Sequence, residues 1–441
     1  MFNSWKKFIL FLGDLTGLHL ALLLTLIIRY PQALWANNWQ NHWFNFLPVF
    51  IIWLLILYIN DLYNLNLKVA SRQFLGRLSN TTIVSSLLAI IYFYLKVSST
   101  ITPKTNLAIF SVIFLVIFFI FRAAFQAIIH SSKLKENLAL IGFNAKTEKL
   151  LAELQNNPGA GYQTALIFKS EEEIASLVEN IKNKNIHTIV VCDDFGLGAD
   201  LSDTLFNCLA YNINFFNYPD FYELITGKIP VEAIDQNWFL KNLQEGQKNY
   251  FNFIKQLLDF LLALIILIIS LPVWPLIAGI IKLTSRGSVF FRQARSGKNE
   301  KIFNILKFRT MREENNDRSL TLEGDKRITR FGSFLRRTRL DEIPQVLNIL
   351  KGEMSFIGPR PERPEIIAEL EKQIPFYKTR LLIKPGLTGW DQISGHYHSP
   401  SLEDSLEKLQ YDLYYLRHRS IYLDISITLK TLATMMSRGG R

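Results

Sequence analysis

The sequence predicts a membrane protein of α plus α/β class: a four-helix transmembrane bundle, a Rossmann-like α/β domain, a re-entrant membrane helix and an α-rich C-terminal domain. Three observations carry that prediction. Four nearly uncharged runs fill the first third, short apolar strands alternate with helices after Asn137, and a fifth apolar run is broken by Pro272 and Pro275. A chain of 441 residues, 49% of them hydrophobic, exceeds one ordinary core, so these regions are read as separate domains.

The four runs are Phe8 to Ile28, Phe44 to Ile59, Thr81 to Leu95 and Leu107 to Phe121. Each approaches the ~20 residues that a helix needs to cross hydrocarbon. Lys6 and Lys7 precede the first run, Lys68, Arg72 and Arg77 lie in the second loop, and Arg122, Lys133 and Lys135 follow the fourth. The loop Pro31 to Trp43 has no Lys or Arg, so the positive-inside rule puts both ends of this bundle, residues 1–135, in the cytoplasm. No small-residue cleavage site follows the first run, and a removed signal peptide is not expected.

Residues 136–248 change pattern. Strands are expected at Leu138 to Gly142, Gln163 to Phe168 and Ile186 to Cys192, with helices at Thr147 to Asn156 and Glu171 to Lys182. A dinucleotide fold would carry a glycine-rich turn after the first strand, but only Gly142 stands there. Both nucleotide binding and a vestigial or regulatory fold stay open. Cys192 and Cys208 lack metal spacing and read as buried thiols.

The fifth run, Phe260 to Ile281, is flanked by Lys248 and Lys255 before it and by Lys282 and Arg286 after it. A proline-broken hairpin over residues 249–288 would keep both basic flanks on one side, with the break at Ser270 and Pro272. A kinked fifth span is the alternative. From Lys282 to Arg339 there are sixteen Lys and Arg against six Asp and Glu, and the chain carries +11 overall. Beside an apolar segment, such a block suits membrane lipids and phosphate esters, not nucleic acid.

In the α-rich region 289–441, Asp341 and Glu342 stand behind Arg336, Arg337 and Arg339, just before Pro344. Pro344 suits the first turn of a helix continuing through Val346 to Leu350, whose N-terminal end would attract phosphate to two acids with separate roles, one attacking and the other holding Mg²⁺ or positioning a proton. Acids at that place also suit plain N-terminal capping of a structural helix. Lys307-Phe308-Arg309-Thr310-Met311 would put Lys307 and Arg309 on one face of a strand, able to clamp a diphosphate. Arg360, between Pro359 and Pro361, is prepaid in entropy for a phosphate or base contact. Pro385 to Trp390 reads as a tight turn ending in an aromatic. The helices Leu402 to His418 and Ile421 to Met436 suit either the membrane interface or packing on their own domain.

These motifs, in this order, resemble the bacterial sugar transferase family, the monotopic phosphoglycosyl transferases. The likeness runs from about Phe251 onward through Lys307 to Met311, Asp341 to Gln345, Asn348 with Lys351 to Ser355, Gly358 to Pro361 and Pro385 to Trp390. Four preceding spans and an α/β domain with Asn157-Pro158 and Gly161-Tyr162 resemble its large members. The resemblance implies a UDP-sugar donor, an attack by Asp341 on the phosphate next to the sugar, release of UMP, and transfer to undecaprenyl phosphate. It also implies Mg²⁺ at Glu342 and phosphate or uridine contacts from Arg336, Lys307, Arg309 and Arg360. That makes residues 289–441 a catalytic domain at the cytoplasmic face of a bacterial inner membrane, starting an exopolysaccharide, capsule or O-antigen chain. A hexose is expected as the sugar, and a homodimer as the assembly.

Two departures from the family pattern stand out. Leu271, not serine, precedes Pro272, and Ser270 lies one residue earlier. His396 follows Gly395 where an arginine is usual, so His418 or Arg419 could supply the cation. The rival readings are a membrane-tethered nucleotide-sugar dehydratase and a non-catalytic assembly regulator. Against the first, the Tyr92 and Lys96 spacing falls in a predicted span; against the second, a scaffold gains nothing from clustered charge.

Overall fold

The structure, a computed structural model, describes residues 2–30, 35–96, 103–129, 135–169, 173, 176–192, 199–243, 245–312, 325, 327–394 and 401–437. The chain forms two compact units, Met1–Thr226 and Gly227–Arg441. The expected α/β segment 136–248 is divided between them: Ile229, Val231 and Trp238 share a core with Ile367, Tyr377, Leu409 and Leu413 of the second unit.

In the first unit the four apolar runs are helices α1 (Phe2–Arg29), α2 (Trp35–Ile59), α3 (Arg72–Leu95) and α4 (Pro103–Ile129). They close on an aromatic core of Phe46, Phe50, Trp53, Phe110, Phe114 and Phe118, with Trp53 edge-on to Phe114 at 4.9 Å between ring centroids. Several polar groups inside this core pair across helices, as a low-dielectric interior favours. Arg122 on α4 meets Asp14 on α1 at 2.6 Å, and Asn60 donates to Thr81 at 2.9 Å. The outward faces stay apolar, with Leu20, Ile51, Leu87, Ile90 and Ile120 exposed. Among the described residues, five helical stretches are long and apolar enough to cross a membrane: Trp5–Arg29, Asn38–Ile59, Arg72–Leu95, Thr105–Ile129 and Asn249–Thr284.

The rest of this unit is a parallel sheet of β1 (Glu136–Ile141), β2 (Tyr162–Phe168), β3 (Ile186–Val191) and β4 (Asn214–Asn217) in the order β2-β1-β3-β4. That order is the flavodoxin-like one, not the 3-2-1-4 of the dinucleotide fold. After β1, Asn144 caps helix α5 (Ala145–Asn156) and its side chain accepts from Lys146 N at 3.0 Å and Thr147 N at 3.1 Å. Those N-H groups are the ones a dinucleotide fold aims at pyrophosphate, so the chain's own amide occupies that role. Asn66, in the loop between α2 and α3, accepts from Gly159 N and donates to Asn157, both at 2.9 Å, tying sheet domain to bundle. Cys192 and Cys208 are buried thiols.

In the second unit the broken apolar run is helix α6 (Asn249–Ser270), a 3-10 turn Leu271–Val273, and helix α7 (Trp274–Thr284). Pro272 and Pro275 supply no N-H to the preceding turn, and the α-helix cannot continue regularly. With Leu271 before the proline, Ser270 still serves the break: its hydroxyl donates to Leu267 O at 3.3 Å and accepts from Trp274 Nε1 at 3.2 Å. Most side chains of this segment are exposed, among them Leu261, Ile265, Ile269 and Leu276. Its polar end is anchored, since Asp259 accepts from Phe356 N and Lys255 meets Asp424 at 2.6 Å.

The C-terminal region is not purely helical. Strands β5 (Phe290–Ser296) and β6 (Ile302–Phe308) form an antiparallel hairpin, and β7 (Ser355–Ile357) pairs in parallel with β8 (Gly386–Thr388). Along β6, Phe303 and Ile305 are buried on the face they share with Lys307, and Phe308 is buried on the other face. Of the last two helices, Leu402–His418 is packed into its domain through Leu409, Leu413 and Leu416. Ile421–Ser437 leaves Ile421, Tyr422, Ile425 and Leu432 exposed, the arrangement expected of an interfacial helix.

Candidate active site

Asp341 and Glu342 lie on a 3-10 turn, Leu340–Gln345, that runs into the five-residue helix Val346–Leu350. The expected anion-drawing N-terminus of a longer helix is therefore absent, because Pro344 and the tight turn leave too few aligned peptides for a strong dipole. Side-chain cations take its place. Lys307 Nζ lies 2.6 Å from Glu342 Oε1, and Arg339 Nη1 lies 3.7 Å from Glu342 Oε2. Arg339 has φ +57°, a left-handed conformation that costs a non-glycine residue energy and turns the chain into the acidic pair.

Neighbouring acids end up in different environments. Asp341 is 8% exposed, and its Oδ1 is buried without a hydrogen-bond partner. Burial first, then the charge of Glu342, pushes Asp341 up to about 6, against the pull of Lys307, Arg336 and Arg339. Burial also acts to raise Glu342, but Lys307, Arg360 and Arg339 outweigh it and hold this carboxylate down at about 2. One acid is a fixed anion within a cationic ring; the other is a desolvated carboxyl with an open oxygen.

The supports are local. Asn348 donates to Asn304 O at 2.8 Å and to Glu353 at 2.7 Å, and accepts from Leu306 N at 3.1 Å, which locks β6, and so Lys307, to the helix following the acids. Helix Arg330–Arg337 is capped by Thr329, whose Oγ1 accepts from Gly332 N at 2.9 Å. It rests so closely on Thr310 that a Cβ at Gly332 would lie 2.0 Å from Thr310 O. Arg336, from this helix, donates Nε to Thr310 Oγ1 at 2.9 Å, and its charge acts on Asp341.

Of the sequence-predicted residues, Lys307, Arg336 and Arg360 gather with Asp341 and Glu342 through the contacts and charges just given. Arg309 does something else: its Nη2 donates to Ser285 O at 2.9 Å and Ser285 Oγ at 3.0 Å, beyond the last turn of α7. Arg419 is held by Glu245 and Asn252. His396 lies outside the described residues. Sequence reasoning passed over Arg339 as a site residue, although its position two before Asp341 was the available signal. Thr310, the rest for Arg336, had none beyond its place in the Lys307 to Met311 motif. The Tyr92 and Lys96 pair of the dehydratase reading is joined at 3.3 Å within the bundle, where Lys96 also donates to Asn45 at 2.6 Å.

Comparison with known proteins gives the geometry a family. Residues 250–438 match the family model described as bacterial sugar transferase. A UDP-N-acetylgalactosamine-undecaprenyl-phosphate N-acetylgalactosaminephosphotransferase of Aeromonas hydrophila is 34% identical over 57% of this chain and 59% of its own length. UDP-glucose:undecaprenyl-phosphate glucose-1-phosphate transferases of Xanthomonas campestris pv. campestris and of Escherichia coli (strain K12) are 33% and 30% identical, over 69% and 68% of this chain and 67% of each relative. With the ordered motifs folded around one acidic pair, these matches mean that the chain belongs to the bacterial sugar transferase family.

Proposed function

We propose that this protein transfers a sugar 1-phosphate, from a hexose series, from a UDP-sugar to undecaprenyl phosphate at the cytoplasmic face of a bacterial inner membrane, as the first membrane step of a surface polysaccharide. The observation that carries the chemistry is the buried, unpartnered Oδ1 of Asp341 beside a Glu342 held ionised by Lys307. A carboxylate stripped of hydrogen bonds and water is a stronger nucleophile, and the surrounding cations offset the repulsion between it and an anionic diphosphate.

The reaction proceeds in two displacements. A carboxylate oxygen of Asp341 attacks the phosphorus that bears the sugar, the bridging P-O bond breaks, and its electron pair leaves with UMP. An oxygen of undecaprenyl phosphate then attacks the same phosphorus, the bond to Asp341 breaks, and the carboxylate is restored. Arg336 and Arg360 are the groups that hold the donor's phosphates, and Lys307 keeps Glu342 charged and oriented. Among the described residues no three His, Cys, Asp or Glu come together as an all-protein metal cage. Mg²⁺ does not need one, because it keeps several waters and binds through one or two carboxylates plus substrate phosphates, which suits Glu342. Bound there, the ion supplies charge neutralisation for the diphosphate.

The outward apolar faces of α1 to α4 support four membrane crossings, and the proline break supports a hairpin that dips into the bilayer and returns. The relatives act on different sugars by name, so the sugar follows from assay. Purified protein is incubated with Mg²⁺, undecaprenyl phosphate and a panel of UDP-sugars. UMP release with a lipid diphosphate sugar is the expected result; UDP release means ordinary glycosyl transfer and overturns the proposal.

A further inference from the structure

The loop that carries Arg360 is held by two arginines, Arg380 buried and Arg295 half-buried. Arg380, on the 3-10 turn Tyr377–Leu382, is 3% exposed and donates from Nη2 to the Arg360 carbonyl at 3.1 Å. The same guanidinium meets Asp412 at 2.8 Å and donates from Nη1 to the Tyr377 hydroxyl at 2.7 Å. Arg295, on β5, donates to the next carbonyl, Pro361, at 2.9 Å, and Ser296 N donates to Glu362 O at 3.0 Å. The near side of the loop is fixed as well. Gly358 N donates to Thr388 O and Gly386 N to Pro359 O, each at 2.9 Å, and a Cβ on Gly386 would lie 2.1 Å from Gly358 N. Every carbonyl from Pro359 to Glu362 is thus engaged, while the Arg360 side chain stays exposed and its charge reaches Glu342.

A buried ion pair adds little stability over an apolar pair of like volume, since desolvating two charges costs about what their attraction returns. An apolar pair could fill the space between Tyr377–Leu382 and the helix Leu402–His418, but it could not donate to the Arg360 carbonyl. We infer that Arg380 and Asp412 are a positioning pair whose task is to present Arg360 to the donor diphosphate over Asp341 and Glu342. This rests on the reading of the site as one that binds a UDP-sugar.

The test is a double-mutant cycle. Removing Arg380 alone strands a buried carboxylate and can unfold the domain, so the main variant is Arg380→Met with Asp412→Leu, and a second is Arg380→Lys, whose ammonium cannot make all three contacts in the planar geometry. Each is made in the parent and in an Arg360→Ala background; UDP affinity is measured by calorimetry, and kcat and KM are measured with the preferred UDP-sugar. The expected result is a thermal midpoint kept within a few degrees in the main variant. Both variants lose about tenfold or more in UDP affinity and kcat/KM, and that loss disappears when Arg360 is already alanine. Unchanged affinity, or a loss repeated in full without Arg360, overturns the pairing. If the parent protein binds UDP but releases no UMP from any UDP-sugar, the transfer reading fails, and the UDP affinities alone decide the role of Arg380.

Discussion

Lys307 Nζ sits 2.6 Å from Glu342 Oε1, while Oδ1 of the adjacent Asp341 has no partner. One turn therefore holds a paired and an unpaired carboxylate side by side, and each makes a different prediction.

Asp341 is destabilising when ionised. Its folded value of about 6 lies above the ordinary 3.8, so the native state binds more protons than the unfolded chain between these pH values, and stability falls as pH rises from about 4 to about 6. In metal-free protein at pH 7, Asp341→Asn should raise stability by up to about 3 kcal/mol, seen as a higher thermal midpoint. The gain should shrink below pH 5, where the native carboxyl is protonated. The same variant should lose turnover and any phosphosugar adduct detected by mass spectrometry; a midpoint unchanged or lowered at pH 7 would contradict the burial argument.

Lys307→Ala should leave Glu342 buried with only the longer Arg339 contact. The expected loss in kcat/KM is about 100-fold or more, the range for removing one electrostatic contact in an enclosed site. Lys307→Arg should recover part of it. Steady-state kinetics with the preferred donor provides the measurement.

Asn348→Ala takes three hydrogen bonds away at once, from Leu306 N, Asn304 O and Glu353. Two of the orphaned groups belong to β6 backbone, so the cost should be about 2 to 4 kcal/mol. Thermal unfolding should show the drop, with activity lost in parallel because Lys307 rides on that strand.

Gly332→Ala forces a Cβ within 2.0 Å of Thr310 O, where backbone must move. A destabilisation of about 1 to 3 kcal/mol is expected. Since Thr310 is the rest for Arg336, KM for the donor should rise as well; an unaltered KM would show that Arg336 does not need this contact.

The helices of the bundle, the proline break and the parallel sheet were all legible in the residues, because hydrophobic run length, missing N-H groups and apolar periodicity are local properties. Asp341 and Glu342 were legible too, through the arginines crowded before them. What escaped is whatever depends on residues far apart. The hairpin of β5 and β6 lay in a region read as α-rich, since Arg292, Arg295 and Lys307 along its strands blur the apolar alternation.

Sequence by itself determined which side chains this protein possesses for phosphate chemistry and which segments water would reject. Only the tertiary structure decided how charge is shared among them: that Lys307, 35 positions away, forms its ion pair with Glu342, and that Arg309 turns to Ser285. The reason is physical. A carboxyl's proton affinity is set by burial and by charges within a few ångströms, and those neighbours are brought by folding from strands and loops that the chain order keeps apart.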